Sequence, residues 1–185
     1  MSIFNGMRVL AVSALVVLLD QVTKIVVKNN FFLGESVEVF GQTFRFTYIE
    51  NAGMAFGIQI GRDGSFLTIF ATFATAVIIF YLYRIRHERL ASRLSLALIL
   101  GGAIGNLIDR YAYGQVIDFI DVGVGNTRWP VFNLADSGVT VGMVILIFLL
   151  LFEKNQAPSV VEAPAFPEQA PTPSDESDNW RGTRQ

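Results

Sequence analysis

The stretch GGAIGNLIDRYAYGQVIDFIDVGVGNTRWPVFNLAD, Gly101–Asp136, decides how the chain folds. An apolar helix ends within Gly105-Asn106-Leu107-Ile108-Asp109-Arg110. A polar, glycine-rich connection follows, and a second apolar helix opens at Phe132-Asn133-Leu134-Ala135-Asp136. Four aspartates, at positions 109, 118, 121 and 136, crowd this stretch of an otherwise hydrocarbon-compatible protein. Carboxylates set so close to membrane-grade helices are costly unless paired or used. Two of the four are expected to do chemistry.

Outward from that stretch the apolar runs continue. The chain has 185 residues, 52% of them hydrophobic, and its mean hydropathy is +0.46. A spanning helix needs about 20 mostly apolar residues. Four runs qualify: Met7–Val27, Phe66–Tyr83, Ala91–Ile108 and Leu134–Phe152. The first resembles a signal sequence but lacks a small-residue cleavage site, so it reads as an uncleaved span. The expected class is an α-helical integral membrane protein with four transmembrane helices. Four arginines and one glutamate fill the short loop from Arg84 to Arg93, which marks it as cytoplasmic. Both termini share that side, and residues 28–65 and 109–133 face away from it.

Those outer segments carry a second pattern. Ser36–Phe40 and Thr43–Ile49 alternate, with Phe44, Phe46 and Tyr48 on one face and Arg45 and Thr47 on the other. Phe40-Gly41-Gln42-Thr43 makes a tight turn between them, which predicts a β-hairpin over about 36–49. Val116–Val122 supplies a further strand of a small extracytoplasmic sheet. Residues 1–155 then form the membrane domain. Residues 156–185 hold five of the six prolines and carry a net charge of −3. That tail is expected to be disordered, because it lacks the apolar surface to offset ordering entropy.

The topology delivers polar groups to one layer near the outer boundary: Asp20, Asn51, Asn106, Asp109, Arg110, Asp118, Asp121, Asn133 and Asp136. The absence of cysteine removes thiolate sites and cysteine nucleophiles. The single histidine, His87, sits in the arginine-rich loop, out of reach of a Ser-His or His-metal arrangement. Two aspartates sharing one proton remain, since like charges about 3 Å apart resist ionising together. The carboxylate takes a proton from an attacking water while the protonated carboxyl gives its own to the leaving nitrogen. Simpler roles compete residue by residue. Asp136 is placed to cap a helix, worth roughly 0.3–1 kcal/mol, and Asp20 and Lys24 at i,i+4 form a structural ion pair. Asp109-Arg110 reads as interfacial support, Asp121 as a solvated loop acid, and Gly101, Gly102 and Gly105 as small residues for close helix approach.

Five ordered blocks carry a specific resemblance: Asp20-Gln21-Val22-Thr23-Lys24, Asn51-Ala52-Gly53-Met54-Ala55-Phe56-Gly57, Gly101 to Arg110, Gly114 to Phe119, and Phe132 to Asp136. The chain is similar to the lipoprotein signal peptidases (signal peptidase II), bacterial membrane aspartic proteases, over residues 8 to 152. The resemblance implies that Asp118 and Asp136 are the catalytic dyad. It implies that Asp20, Lys24, Asn51, Gly53, Asn106, Asp109, Arg110, Asn133 and Ala135 support the site or hold substrate. The implied substrate is a prolipoprotein whose lipobox cysteine already carries diacylglycerol, cut just before that cysteine in the bacterial inner membrane. The hairpin would be the family's β-cradle, and globomycin-type cyclic peptides the expected inhibitors. Membrane lipid is the expected surround; no metal, cofactor or nucleic acid is expected, and a monomer is. Met54 departs from the family, which usually has alanine there. A transporter or proton relay would put ionisable residues near the midplane within inverted repeats, and the chain shows neither. A non-catalytic scaffold would keep full processing activity after either dyad aspartate is replaced by asparagine.

Overall fold

Within hydrocarbon a chain must satisfy its backbone polar groups internally, and long apolar runs do so as helices. The computed structural model describes residues 3–55, 58–59, 65–125 and 127–153, and four helices in it are long and apolar enough to cross a membrane. They are α1 (Ile3–Asn30), α2 (Ser65–Arg84), α3 (Leu90–Tyr113) and α4 (Leu134–Glu153). Each covers one of the four apolar runs. The tail beyond residue 153 lies outside the described residues.

α3 is the central helix. Buried positions make up 61% of its most apolar window, against 22% or less in the other three. Its glycines explain how it can pack against both α1 and α4. A Cβ on Gly101 would fall 2.8 Å from the Ser13 carbonyl oxygen of α1, and one on Gly105 would fall 2.6 Å from Asp20 Oδ2. A Cβ on Gly102 would collide with the Ala135 carbonyl oxygen of α4, and one on Gly142 would lie 2.6 Å from the Ser95 carbonyl oxygen. Backbones in direct contact gain dispersion that hydrocarbon solvent does not supply by other means. The Ser13 hydroxyl adds a 2.8 Å hydrogen bond to the Ala97 carbonyl across the α1–α3 seam. Gly102→Ala is therefore expected to push α4 off α3 and cost about 1–3 kcal/mol, as overpacking does elsewhere. Thermal unfolding in detergent checks this, and an unchanged Tm would show that the seam has slack.

α3 runs five residues past the hydrophobic stretch predicted for it. Asp109 and Arg110 stay helical, and the helix stops only where Gly114 takes φ +77° and donates its N–H to the Arg110 carbonyl at 3.0 Å. Hydropathy marked the end of the oil-facing run, whereas the left-handed glycine marks the end of the helix.

A sheet sits where α1 and α3 end and α4 begins. Strands β1 (Ser36–Phe40) and β2 (Phe44–Asn51) form the predicted hairpin, turned at Gly41 (φ +50°), with Thr43 N–H donating to the Phe40 carbonyl. After the short strands β3 (Met54–Ala55) and β4 (Ile58–Gln59), the chain passes through α2 and α3 to β5 (Val116–Val124) and β6 (Thr127–Arg128). The sheet order is β1-β2-β5-β6, and β2 and β5 are antiparallel, with Ile49 opposite Asp118 and Asn51 opposite Val116. Val27 of α1, Tyr48 of β2, and Ile117 and Phe119 of β5 form a buried cluster, with Leu134 of α4 packed against it. After β6 the chain returns alongside β5. Phe132 exchanges backbone hydrogen bonds with Ile120 at 2.7 and 3.0 Å, which sets the next residue, Asn133, beside Asp118.

Candidate active site

Asp118 lies on β5, 2% exposed, and Asp136 lies in the first turn of α4. Asn133 joins them. Its side-chain amide donates to Asp118 Oδ1 at 2.7 Å, and its backbone N–H donates to Asp136 Oδ2 at 3.2 Å. Asp136 N–H returns a 2.9 Å bond to Asn133 Oδ1. This reciprocal pair is a capping box at the start of α4. The capping role expected of Asp136 is therefore present, but it occupies only one carboxylate oxygen. The other, Oδ1, accepts from Asn106 Nδ2 at 2.8 Å.

The amides are held in one orientation each. Gly53, at φ +113°, donates its N–H to Asn51 Oδ1 at 2.9 Å, which turns Asn51 Nδ2 toward Asp118 Oδ2 at 3.1 Å. Asn106 Oδ1 faces the Lys24 ammonium at 3.1 Å and Asn133 Nδ2 at 3.1 Å, so its NH2 must point at Asp136. An ammonium has only donors, so it fixes which end of the amide faces it.

Behind the asparagines lies a buried ionic layer. Lys24 Nζ sits 2.8 Å from both Asp20 Oδ2 and Asp109 Oδ2, and all three side chains are at most 2% exposed. With Asn106, these contacts use all three ammonium protons. Asp20 Oδ1 accepts the Ala135 N–H at 2.9 Å and Asp109 Oδ2 accepts the Ile117 N–H at 3.1 Å. The layer thereby grips both chain segments that carry Asp118 and Asp136. Arg110 is half-buried in the field of Asp136, Asp118 and Asp109, and bonds back to the Asn106 carbonyl at 3.3 Å.

Electrostatics set Asp118 apart. Burial, and after it the charge of Asp136, push its carboxyl from the ordinary 3.8 up to about 7, against the opposing bonds from Asn51 and Asn133. Desolvation and a like neighbour both disfavour the second negative charge. The arrangement can hold one proton between two carboxyls at neutral pH.

All eleven residues named from the sequence meet here. Gln21 was missed: its amide spans Asp109 Oδ1 at 2.9 Å, the Gly105 carbonyl at 3.2 Å and Asp20 Oδ2 at 3.2 Å. Its place one turn from Lys24 and next to Asp20 was the available signal. Asp121 corrects the expectation of a solvated loop acid. It is 5% exposed, on β5, and binds Arg128 Nε at 2.6 Å and the Thr47 hydroxyl at 2.8 Å. Three residues from Asp118, it points to the opposite face of the strand, away from the dyad. Met54 falls in β3, but its side chain lies outside those described.

Comparison with known proteins agrees with this architecture. Residues 12–152 match the family described as signal peptidase (SPase) II. A lipoprotein signal peptidase from Syntrophus aciditrophicus (strain SB) is 44% identical over 151 residues, 80% of this chain and 94% of the relative. One from Burkholderia mallei (strain SAVP1) is 49% identical over 142 residues, 75% of this chain and 84% of the relative. A solved structure of a bacterial membrane enzyme superposes with TM-score 0.71 at 31% identity, covering 82% of this chain and 92% of that one. A second reaches TM-score 0.67 at 32% identity, covering 79% and 94%. With four membrane-grade helices, a sheet at one end and a match across most of its length, the chain belongs to the signal peptidase II family of membrane peptidases.

Proposed function

We propose that the protein is a membrane aspartic endopeptidase that removes the signal peptide from diacylglyceryl-modified prolipoproteins, with Asp118 and Asp136 as its dyad. The observation that carries this reading is the shared Asn133, which binds both carboxyls while Asp136 helps hold the Asp118 proton up to about 7. Asp136, facing the N–H donors of Asn106 and Asn133, is the partner that takes a proton from water. The resulting hydroxide adds to the scissile carbonyl carbon. Asp118 then gives its proton to the amide nitrogen as the carbon–nitrogen bond breaks. The pair titrates as a unit.

The relatives' name and the site's position support this substrate class. Two acyl chains and a signal helix reach the dyad from the lipid, with the scissile bond at the boundary where the sheet meets the helices. The arginine-rich loop before α3 supports a cytoplasmic opposite end, and with it a site on the outer face of the bacterial inner membrane. Globomycin-type cyclic peptides would compete for the same cleft.

The test is turnover of a prolipoprotein with and without its diacylglyceryl group, followed against pH. Only the modified substrate is expected to be cut, before the lipid-bearing cysteine, with activity falling as pH rises past about 7 and the pair loses its last proton. The linkage to folding has the same sign. A raised carboxyl contributes stability that is present below the ordinary 3.8 and lost as pH climbs through about 7. Equal cleavage of the unmodified substrate, or a profile flat to pH 9, would overturn the reading.

A further inference from the structure

At the end of the bundle far from the dyad, α1, α2 and α3 line a half-open apolar cavity of about 470 Å³, walled by Leu10, Ile79, Leu82 and Ile104 and bounded by Arg86 and Arg93. A second cavity of about 480 Å³ shares Leu10, Leu100 and Ile104 with it and continues along α1 past Ala14 and Val17 to Gln21. Together they form one furrow. We propose that this furrow binds an anionic phospholipid of the leaflet farther from the sheet, with its phosphate at Arg86 and Arg93 and one acyl chain laid toward Gln21.

Length favours that occupant. Val9 to Gln21 is twelve helical steps, roughly 18 Å at 1.5 Å each. Half of a hydrocarbon core of about 30 Å is similar, so the furrow fits one leaflet's acyl chain. Charge favours it too. Arginine stays ionised and its planar fork matches a phosphate. Arg86 lies over the Tyr83 ring at 4.4 Å and donates one nitrogen to the Tyr83 carbonyl at 3.2 Å, which fixes its guanidinium at the mouth. Arg93 also borders the cavity and is 4% exposed. Basic pockets between spanning helices are sites for anionic head groups. The proposal does not depend on the peptidase mechanism, because none of these residues except Gln21 touches the ionic layer behind the dyad.

The test uses the full-length protein in detergent, titrated with phosphatidylglycerol or phosphatidylcholine of identical acyl chains and read by native mass spectrometry and Tm. Phosphatidylglycerol should be retained and should raise Tm more than phosphatidylcholine does. Arg86→Gln, at an exposed position, should weaken phosphatidylglycerol binding roughly fivefold. Ile79→Trp, also exposed, should fill the furrow and remove retained lipid of either kind. Arg84→Gln, two residues from Arg86 at the end of α2 but outside the furrow's lining, should bind like the parent. Equal binding of the two lipids, an Arg84→Gln loss as large as that of Arg86→Gln, or a protein dimer in place of retained lipid would each overturn the proposal. Prolipoprotein turnover, measured in parallel, reports separately on the dyad.

Discussion

Asp118→Asn and Asp136→Asn are each expected to abolish prolipoprotein cleavage while leaving a folded, membrane-inserted protein. A single positioned acid or base is worth about 10²–10⁴ in rate. In the proposed mechanism each carboxyl serves a step that the other cannot take over, so turnover should fall by at least about a thousandfold. Asparagine nearly matches aspartate in shape and stays neutral. At position 118 it replaces a carboxyl whose ionisation is already disfavoured by burial and by Asp136. Asp118→Asn should therefore lose less stability than the parent as pH rises through about 7, by the proton linkage described for that residue. At position 136 the helix cap loses its charge but keeps an acceptor for the Asn133 N–H. Turnover and thermal unfolding of each variant decide the matter. If one of the two retained substantial activity, the two-carboxylate mechanism would be wrong even though the family assignment stands.

Lys24→Met should cause the largest loss of stability of any single change in the bundle. It removes a cation that lies 2.8 Å from each of two buried carboxylates and leaves both without their counter-charge. Breaking a buried pair by deleting one partner typically costs about 3–5 kcal/mol, and here two acids are stranded. Asn106 also loses the group that orients it toward Asp136. Adding Asp20→Asn to Lys24→Met should recover part of the loss, because the two sites share one network. Asp20→Ala alone should lower stability, through the lost bond to the Ala135 N–H, yet impair cleavage less than either dyad change. Unfolding in detergent alongside turnover separates these cases. A stable but inactive Asp20→Ala would move that residue from support into the chemistry.

Much of this was legible in the residues themselves. The four helices follow from apolar runs of spanning length, and the hairpin from alternation around Phe40-Gly41-Gln42-Thr43. The convergence at one layer follows from topology, since each polar position lies at the same end of its span or in the segments joined there. Less visible was anything that depends on pairing across the sheet. Asp121 looked solvated because Arg128 and Thr47, its partners, reach it only once β2, β5 and β6 are assembled. Strand parity held a usable clue, because 118 and 121 differ by an odd number. Gln21 was overlooked because a neutral amide carries no cost that demands a partner, unlike the charges on either side of it. The extent of α3 was misjudged because hydropathy ends where Asp109 begins, and nothing local shows that Lys24 will neutralise it.

The glycine contacts along α3 and α4 bear on how a lipid-borne substrate gets in. Gly102 and Gly142 bring the two backbones so close that even a methyl group would not fit between them, and Gly101 does the same against α1. Those two seams are shut by construction and offer no lateral gate. α2 rests chiefly on α3 and holds no comparable seam with α1 or α4. On the proposed function, that leaves the flank of α2 as the approach for a diacylated cysteine, and bulky replacements along it should throttle access without touching a single acid.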